Sequence, residues 1–460
     1  MSKTEALIDK ENYKNLENLV KKAIRNRAER IELFVSSTKR KIPPYKELGN
    51  YIWQILDKYE GDLEIKIKNA PYCLLPKEIL ANAFDHIIPQ KKHDWLKPAS
   101  CKTCRFYQKC SGFPSAYQET YGVEIRPLKD IPREIMIEVE PRCNFNCQFC
   151  FNKNSFAKHG RNLKNVMSTQ FVKQVIDSIG RAGVPIVRFT GGEPLLRNDI
   201  WELMKYAKSR GLKVRLNTNA SLIDEKAAKR CKGIVSSVLI PIESWSDAAE
   251  SKLTGYGHSL KKKIEAIKFL KRVKIGTVRA GTVASKENLK NNNLEKILKL
   301  VLALDLDEWE VYRPIPAREN QNPMTKSEAK LLVQKLFKFK KQTDRHFPIA
   351  NGIPFCIWDK NKVNWVSAGA LPIDGNVRFV VDPRGFAKPD YYMEKNLGDP
   401  RNILKIWNGP FLKKMRNLGF LPKLCQSCSY KEKCRGGSRF CAKMAFGSLK
   451  APDPLIVNYS

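Results

Sequence analysis

The chain has 460 residues, 42% of them hydrophobic, and 83 Lys and Arg stand against 47 Asp and Glu, a net charge of +36. This composition excludes disorder throughout, and the length predicts about two to four domains with cores of their own. No apolar run is long enough to span a bilayer and the segment Met1-Ser-Lys-Thr-Glu-Ala-Leu lacks the apolar stretch of a signal peptide, so a soluble, cytoplasmic protein is expected.

The charge favours an anionic partner: nucleic acid, an anionic lipid surface or an acidic peptide. Individual runs such as Lys21-Lys22, Lys261-Lys262-Lys263 and Lys413-Lys414 lie on helical patterns with an apolar opposite face, and read as solvated faces. Thirteen cysteines in a cytoplasmic chain of this size are not expected to be disulfide staples, and twelve of them fall in clusters or just upstream of one. Cys231 stands alone and reads as a core residue.

In chain order, Leu16, Leu19, Val20, Ala23 and Ile24 predict an amphipathic helix, followed by a strand at Ile31 to Val35. Pro43-Pro44 interrupts, a second helix runs to about Leu56, and Leu63, Ile65 and Ile67 alternate as in a strand. Pro71-Tyr72-Cys73 follows, and then Cys101, Cys104 and Cys110 in a C-x2-C-x5-C-x-G run ending at Gly112. From Ile135 strands and helices alternate in six units, ending with the strand Glu308 to Tyr312, which predicts parallel strands with outer helices: an α/β fold of partial (β/α)6, TIM-like barrel form. After about Phe347 the periodicity weakens. Domain bounds of 1–128, 129–345 and 346–460 are expected.

The loop after the first of these strands carries Cys143, Cys147 and Cys150 in a C-x3-C-x2-C run. Three thiolates on one loop can hold three corners of a cubane iron-sulfur cluster and leave the fourth iron open for chemistry. Zinc or plain redox thiols are the alternative, though a structural zinc site wants four ligands. The second strand runs into Gly191-Gly192-Glu193-Pro194, and the third ends at Thr218-Asn219.

The tail repeats the amino-terminal pattern. Pro354-Phe355-Cys356 precedes a second C-x2-C-x5-C-x-G run, Cys425, Cys428 and Cys434 with Gly436, and in both places a helix, a strand, a helix and an extended segment lead to the Pro-aromatic-Cys. Residues from about Leu16 to Gly112 are thus expected to repeat the element order from about Leu294 to Gly436. Each copy offers four thiolates, enough for a closed cluster or a zinc ion.

The C-x3-C-x2-C loop, with Phe149 before its last cysteine, and the Gly191 to Pro194 element resemble the radical S-adenosylmethionine (SAM) superfamily; the resemblance covers about Ile135 to Tyr312. It implies a [4Fe-4S] cluster on Cys143, Cys147 and Cys150, SAM on the open iron, the backbone of Gly191, Gly192 and Glu193 at the methionyl amine, with Pro194 closing that motif, Phe149 near the adenine and Asn219 near the ribose. One electron, from a low-potential donor such as ferredoxin or flavodoxin, would then release a 5′-deoxyadenosyl radical. The tail is similar to SPASM and twitch extensions at Asp382-Pro-Arg-Gly385, Asn396-Leu-Gly398 and Cys425 to Gly437, and departs from the full pattern where Asp390 and Ser438 replace cysteines. The resemblance therefore implies one carboxy-terminal auxiliary [4Fe-4S] cluster, with Cys356 or Cys441 as its fourth ligand, and the repeat adds a second on Cys73, Cys101, Cys104 and Cys110, where zinc remains the alternative.

The expected activity is oxidative modification of an acidic peptide or protein. RNA, most plausibly tRNA, is the alternative substrate, and a non-enzymatic electron carrier the alternative class. No catalytic acid or base is identifiable: Arg279, Glu310, Tyr312 and Arg313 read either as groups at the barrel mouth or as buried ion pairs.

Overall fold

A computed structural model describes residues 3–59, 63–74, 87–88, 95–104, 106–108, 110–122, 130–150, 166–315, 323–343, 345 and 347–457. The expected boundary at 128–129 lies outside them. The chain divides into two compact units, one of residues 1–130 with 359–365 and the other of residues 131–358 with 366–460.

The first unit is built on a parallel sheet of β1 (Lys3–Ile8), β2 (Arg30–Val35), β3 (Glu64–Lys68) and β4 (Ile87–Ile88), in that order. Its helices Leu16–Arg25 and Tyr45–Tyr59 are the crossovers, and their apolar faces cover Ile31, Leu33, Ile65 and Ile67. Strand β1 has no counterpart in the sequence reading, because its alternation is masked by charge. Lys3 reaches Glu32 at 2.9 Å and Lys68 reaches the same carboxylate at 2.5 Å, so the polar face of the sheet is a ladder of opposite charges. A short antiparallel pair, β5 (Trp95–Leu96) with β6 (Phe113–Pro114), closes the unit.

The second unit holds an eight-stranded sheet. Six parallel strands, β7 (Glu134–Glu140), β8 (Ile186–Gly191), β9 (Lys213–Asn217), β10 (Val235–Pro241), β11 (Thr277–Val283) and β12 (Glu308–Tyr312), are neighbours in chain order. The tail adds β13 (Arg378–Val381) parallel to β7 and β14 (Ala387–Lys388) antiparallel to β13. The two edges, β12 and β14, do not pair with each other among the described strands, so the barrel is partial. The tail strands escape the sequence reading because β13 is short and its partner lies more than two hundred residues away in the chain.

Every residue of β7 is buried, although Glu134, Glu138 and Glu140 are acidic. Ile135, Ile137 and Val139 occupy one face, while Glu134 on the other meets Arg188 of β8 at 2.9 Å and Arg378 of β13 at 3.7 Å. Burial alone would raise the Glu134 carboxyl, but Arg188, Arg215 and Arg378 outweigh it and hold it at about 2. Arg279 and Glu310 form a further buried pair, to which the Tyr312 hydroxyl donates, and Arg313 pairs with Asp453 at 2.7 Å. Each of these four residues thus takes part in an ion pair or donates to one. Among the described residues no helix is long and apolar enough to cross a membrane.

Candidate functional site

The three-cysteine loop leaves β7 and is held from two sides. Toward β8, the amides of Gly192 and Glu193 donate to the carbonyls of Glu140 and Arg142 at 2.7 and 2.8 Å. Gly191 has φ +142°, and a Cβ on Gly191 or Gly192 would overlap the carbonyl oxygen of Glu140 or Arg142 respectively. The resemblance puts this backbone at a ligand's amine, but its glycines are already required by the backbone of the cysteine loop. The donors Gly192 and Glu193 are thereby engaged, so a bound amine, itself a donor, would meet carbonyls on this segment.

From the other side, the amides of Asn146 and Gln148 donate to the carbonyls of Thr254 and Leu253 at 2.8 and 3.0 Å, docking the loop on the end of helix Asp247–Thr254. Phe145 stacks on Tyr256 with ring centroids 4.5 Å apart. Lys263 lies 5.4 Å from the centroid of Phe145 and is fully buried against Glu250, also fully buried. The reading of Lys261 to Lys263 as a solvated face is therefore corrected at Lys263: its helix turns this one lysine inward. Glu250 also accepts the amides of Glu243 and Ser244, at 2.8 and 2.5 Å. No helical or strand periodicity pairs Glu250 with Lys263, since they lie on different helices. Glu243, at the end of β10, is buried too, and burial, then Glu250, pushes its carboxyl up to about 8.

Glu193 is completely buried and works as a bracket. One carboxylate oxygen accepts from the Leu195 amide at 3.0 Å and the Thr218 hydroxyl at 2.7 Å, the other from the Asn219 amide at 2.7 Å. Burial raises this carboxyl to about 7 against those donors. Pro194 opens the short turn that Glu193 caps. The Asn219 side chain donates to Asn144 at 2.8 Å and to the Cys143 sulfur at 3.8 Å, so it binds the strand end to the cysteine loop. Phe149 is half-buried on the same loop. The Cys143 sulfur also accepts from the Phe145 amide at 3.4 Å, and Cys150 is among the charges acting on both Cys143 and Cys147. Three neighbouring sulfurs, two donors aimed at one of them and a glycine cradle alongside fit a cubane cluster held by three cysteines.

In the tail, Cys356 is among the charges acting on Cys425 and Cys434, and Cys428 on Cys425. The amide of Phe355 donates to the Cys434 sulfur at 3.4 Å. Cys441 is not brought to this set: it is wholly buried, with Arg313 and Asp453 as neighbours. Ser438 caps the helix of Cys441 by accepting its amide at 3.2 Å, and Asp390 accepts the amide of Asp374 at 2.7 Å, so both residues that stand in for cysteine serve the backbone. Cys231 is buried in the core.

Burial, and then Asp390, pushes Asp374 up to about 7 from 3.8. A carboxyl raised in the fold keeps a proton that the unfolded chain releases. The stability it contributes is present below about pH 4 and lost as pH rises toward about 7. Asp374→Asn is expected to flatten that part of the fall in melting temperature, measured from about pH 4 to pH 8; an unchanged slope would assign the dependence elsewhere.

Residues 137–301 match the family model of the Radical SAM superfamily. The AdoMet-dependent heme synthase of Oleidesulfovibrio alaskensis is 26% identical over 347 residues, covering 70% of this chain and 86% of that protein. The PqqA peptide cyclase of Bradyrhizobium diazoefficiens is 25% identical over 348 residues, covering 73% and 87%. Among solved structures, Streptococcus suis SuiB bound to its precursor peptide SuiA superposes with a TM-score of 0.58 at 14% identity, over 75% of this chain and 79% of that one. The protein thus carries a radical SAM domain over residues 137–301, the domain of an iron-sulfur enzyme.

Proposed function

We propose that the protein oxidatively modifies a peptide or protein substrate by radical SAM chemistry in a reducing cytoplasm. The observation that carries the radical step is the backbone pairing of Gly192 and Glu193 with Glu140 and Arg142, which sets the glycine-rich strand end against the three-thiol loop. Bound SAM would supply, on one-electron reduction, a 5′-deoxyadenosyl radical able to take a hydrogen atom from substrate. Cys143, Cys147 and Cys150 would hold three irons, and the carbonyls of Gly191 to Glu193 would orient the methionyl amine. Glu193 keeps Thr218 and Asn219 in place beneath them.

A peptide substrate is supported by the peptide cyclase among the relatives, by the peptide carried in the SuiB structure and by the charge of +36. A heme synthase is equally similar in sequence, so charge has to carry part of the choice. Cys356, Cys425, Cys428 and Cys434 would hold an auxiliary [4Fe-4S] cluster of SPASM or twitch type, able to take the second electron from a substrate radical. Cys356→Ala should lower the iron content by about four per chain on loss of that cluster, while Cys441→Ala keeps it.

The function is tested by supplying SAM and dithionite to the protein and following 5′-deoxyadenosine with and without acidic peptides, beside peptide and tRNA binding across a salt series. Peptide-stimulated cleavage is expected. A steep salt slope for tRNA alone would give the substrate to RNA, for which the same charge would provide phosphate contacts. No 5′-deoxyadenosine at all would point to the electron carrier.

A further inference from the structure

We infer that the amino-terminal unit is a second copy of the tail's cysteine-holding module, and that Cys73, Cys101, Cys104 and Cys110 hold an iron-sulfur cluster ligated at all four irons. The site lies outside the radical SAM domain; its cluster rests on the reading of the tail's cysteines as a cluster site, and not on the substrate proposed above.

The two copies agree in backbone, not only in cysteine spacing. In the first unit the amides of Cys101, Cys104, Tyr107 and Cys110 donate to the carbonyls of Pro98, Cys101, Cys104 and Phe106, at 2.8, 2.8, 3.0 and 2.7 Å. In the tail the amides of Cys425, Cys428, Lys431 and Cys434 donate to Pro422, Cys425, Cys428 and Tyr430, at 2.9, 3.2, 3.2 and 2.8 Å. The glycine after the third cysteine has positive φ in both, +88° at Gly112 and +72° at Gly436. Each of these glycines also donates its amide to the preceding cysteine's sulfur, Gly112 to Cys110 at 3.4 Å and Gly436 to Cys434. A loop folded this way turns its three sulfurs to one side and spends its amides on holding them there.

The fourth cysteine arrives by the same route twice. Strand β2 has parallel neighbours β1 and β3, and β12 has parallel neighbours β11 and a single bridge at Ile349. The chain leaving β3 or Ile349 enters a short 3-10 turn that carries Cys73 or Cys356. The aromatic residue before that cysteine packs on the aromatic residue two places after the second cysteine of the loop: Tyr72 on Phe106 with centroids 4.9 Å apart, Phe355 on Tyr430 at 5.5 Å. The result in the first unit is one pocket lined by all four cysteines, with Pro71 and Phe113 at its edge. All four thiols are free of disulfides.

Four thiolates suit zinc as well as a cluster, and it is the likeness to the tail's loop that favours the cluster. With a cysteine at each iron, such a cluster has no open coordination site for substrate and is suited to carrying electrons. The ammonium of Lys97, which also lines the pocket, is fixed there by the Tyr107 carbonyl at 2.9 Å and places a positive charge beside the thiolates.

The test counts metal and sulfide in the full-length protein after anaerobic reconstitution with iron and sulfide. Cys101→Ala/Cys104→Ala should lower iron and acid-labile sulfide by about four each per chain relative to wild type. A second variant, with Cys143, Cys147, Cys150, Cys356, Cys425, Cys428 and Cys434 all replaced by alanine, should retain about four irons and a cluster absorption band, which covers the case of a double variant that does not fold. Wild-type iron in the double variant, no iron in the second, or zinc at one per chain that disappears with Cys101 and Cys104 would overturn the proposal.

Discussion

Gly192→Ala is expected to lower the rate of SAM cleavage by about a hundredfold or more, the scale on which displacement of a reacting group by about 1 Å acts. The added methyl would overlap the Arg142 carbonyl, with the Pro141 carbonyl behind it, and both are backbone atoms that no rotamer change can clear. The strand end must therefore move away from the segment that runs into Cys143, breaking the hydrogen bonds of Gly192 to Glu140 and Glu193 to Arg142. Measuring 5′-deoxyadenosine per iron separates misplacement from cluster loss. Gly257→Ala is the control, since its added methyl meets nothing within 4 Å, and a change under about 0.5 kcal/mol is expected there. Wild-type cleavage by the Gly192 variant would show that this close approach is not needed.

Glu250→Gln should cost about 3–5 kcal/mol, because it leaves the Lys263 ammonium buried without its counter-charge. The side-chain amide introduced there would also have to face either Lys263 or the backbone donors of Glu243 and Ser244. Helix Asp247–Thr254 carries the carbonyls that receive Asn146 and Gln148, so the loss should fall on the cysteine loop and appear as faster hydrogen exchange across Cys143 to Cys150. Replacing Lys263 by Met in the same chain should restore part of the stability, since the stranded charge is then removed. If the single variant melts with the wild type and the loop exchanges no faster, Glu250 and Lys263 do not support the site.

Much of the scaffold was legible because its signals are local. The six strands of the partial barrel from β7 to β12 each carry apolar residues on at least one face and are bounded by turns, and Ser168 caps the following helix by accepting the Phe171 amide at 3.1 Å, as its position before an amphipathic pattern implies. The first strand of the chain, β1, was hidden by its charges, and β13 by its shortness. Helix Asp247–Thr254 was hidden for a related reason: its apolar stripe is weak, because the groups it buries are Glu250 and Thr254.

At the sites, sequence alone determined the inventory of candidate ligands: three cysteines on one loop, two C-x2-C-x5-C-x-G runs each preceded by Pro-aromatic-Cys, and Gly191 to Pro194 at a strand end. Spacing along the chain is enough for that, because the residues of each motif share a single turn or loop. The burial of Cys441 beside Arg313 and Asp453, the inward turn of Lys263 toward Glu250, and the use of Gly192 to seat the cysteine loop were decided only by tertiary structure. Each of these joins segments that are distant in the chain or face each other across packed elements, and such pairings follow from the packing of strands and helices, which no local pattern encodes.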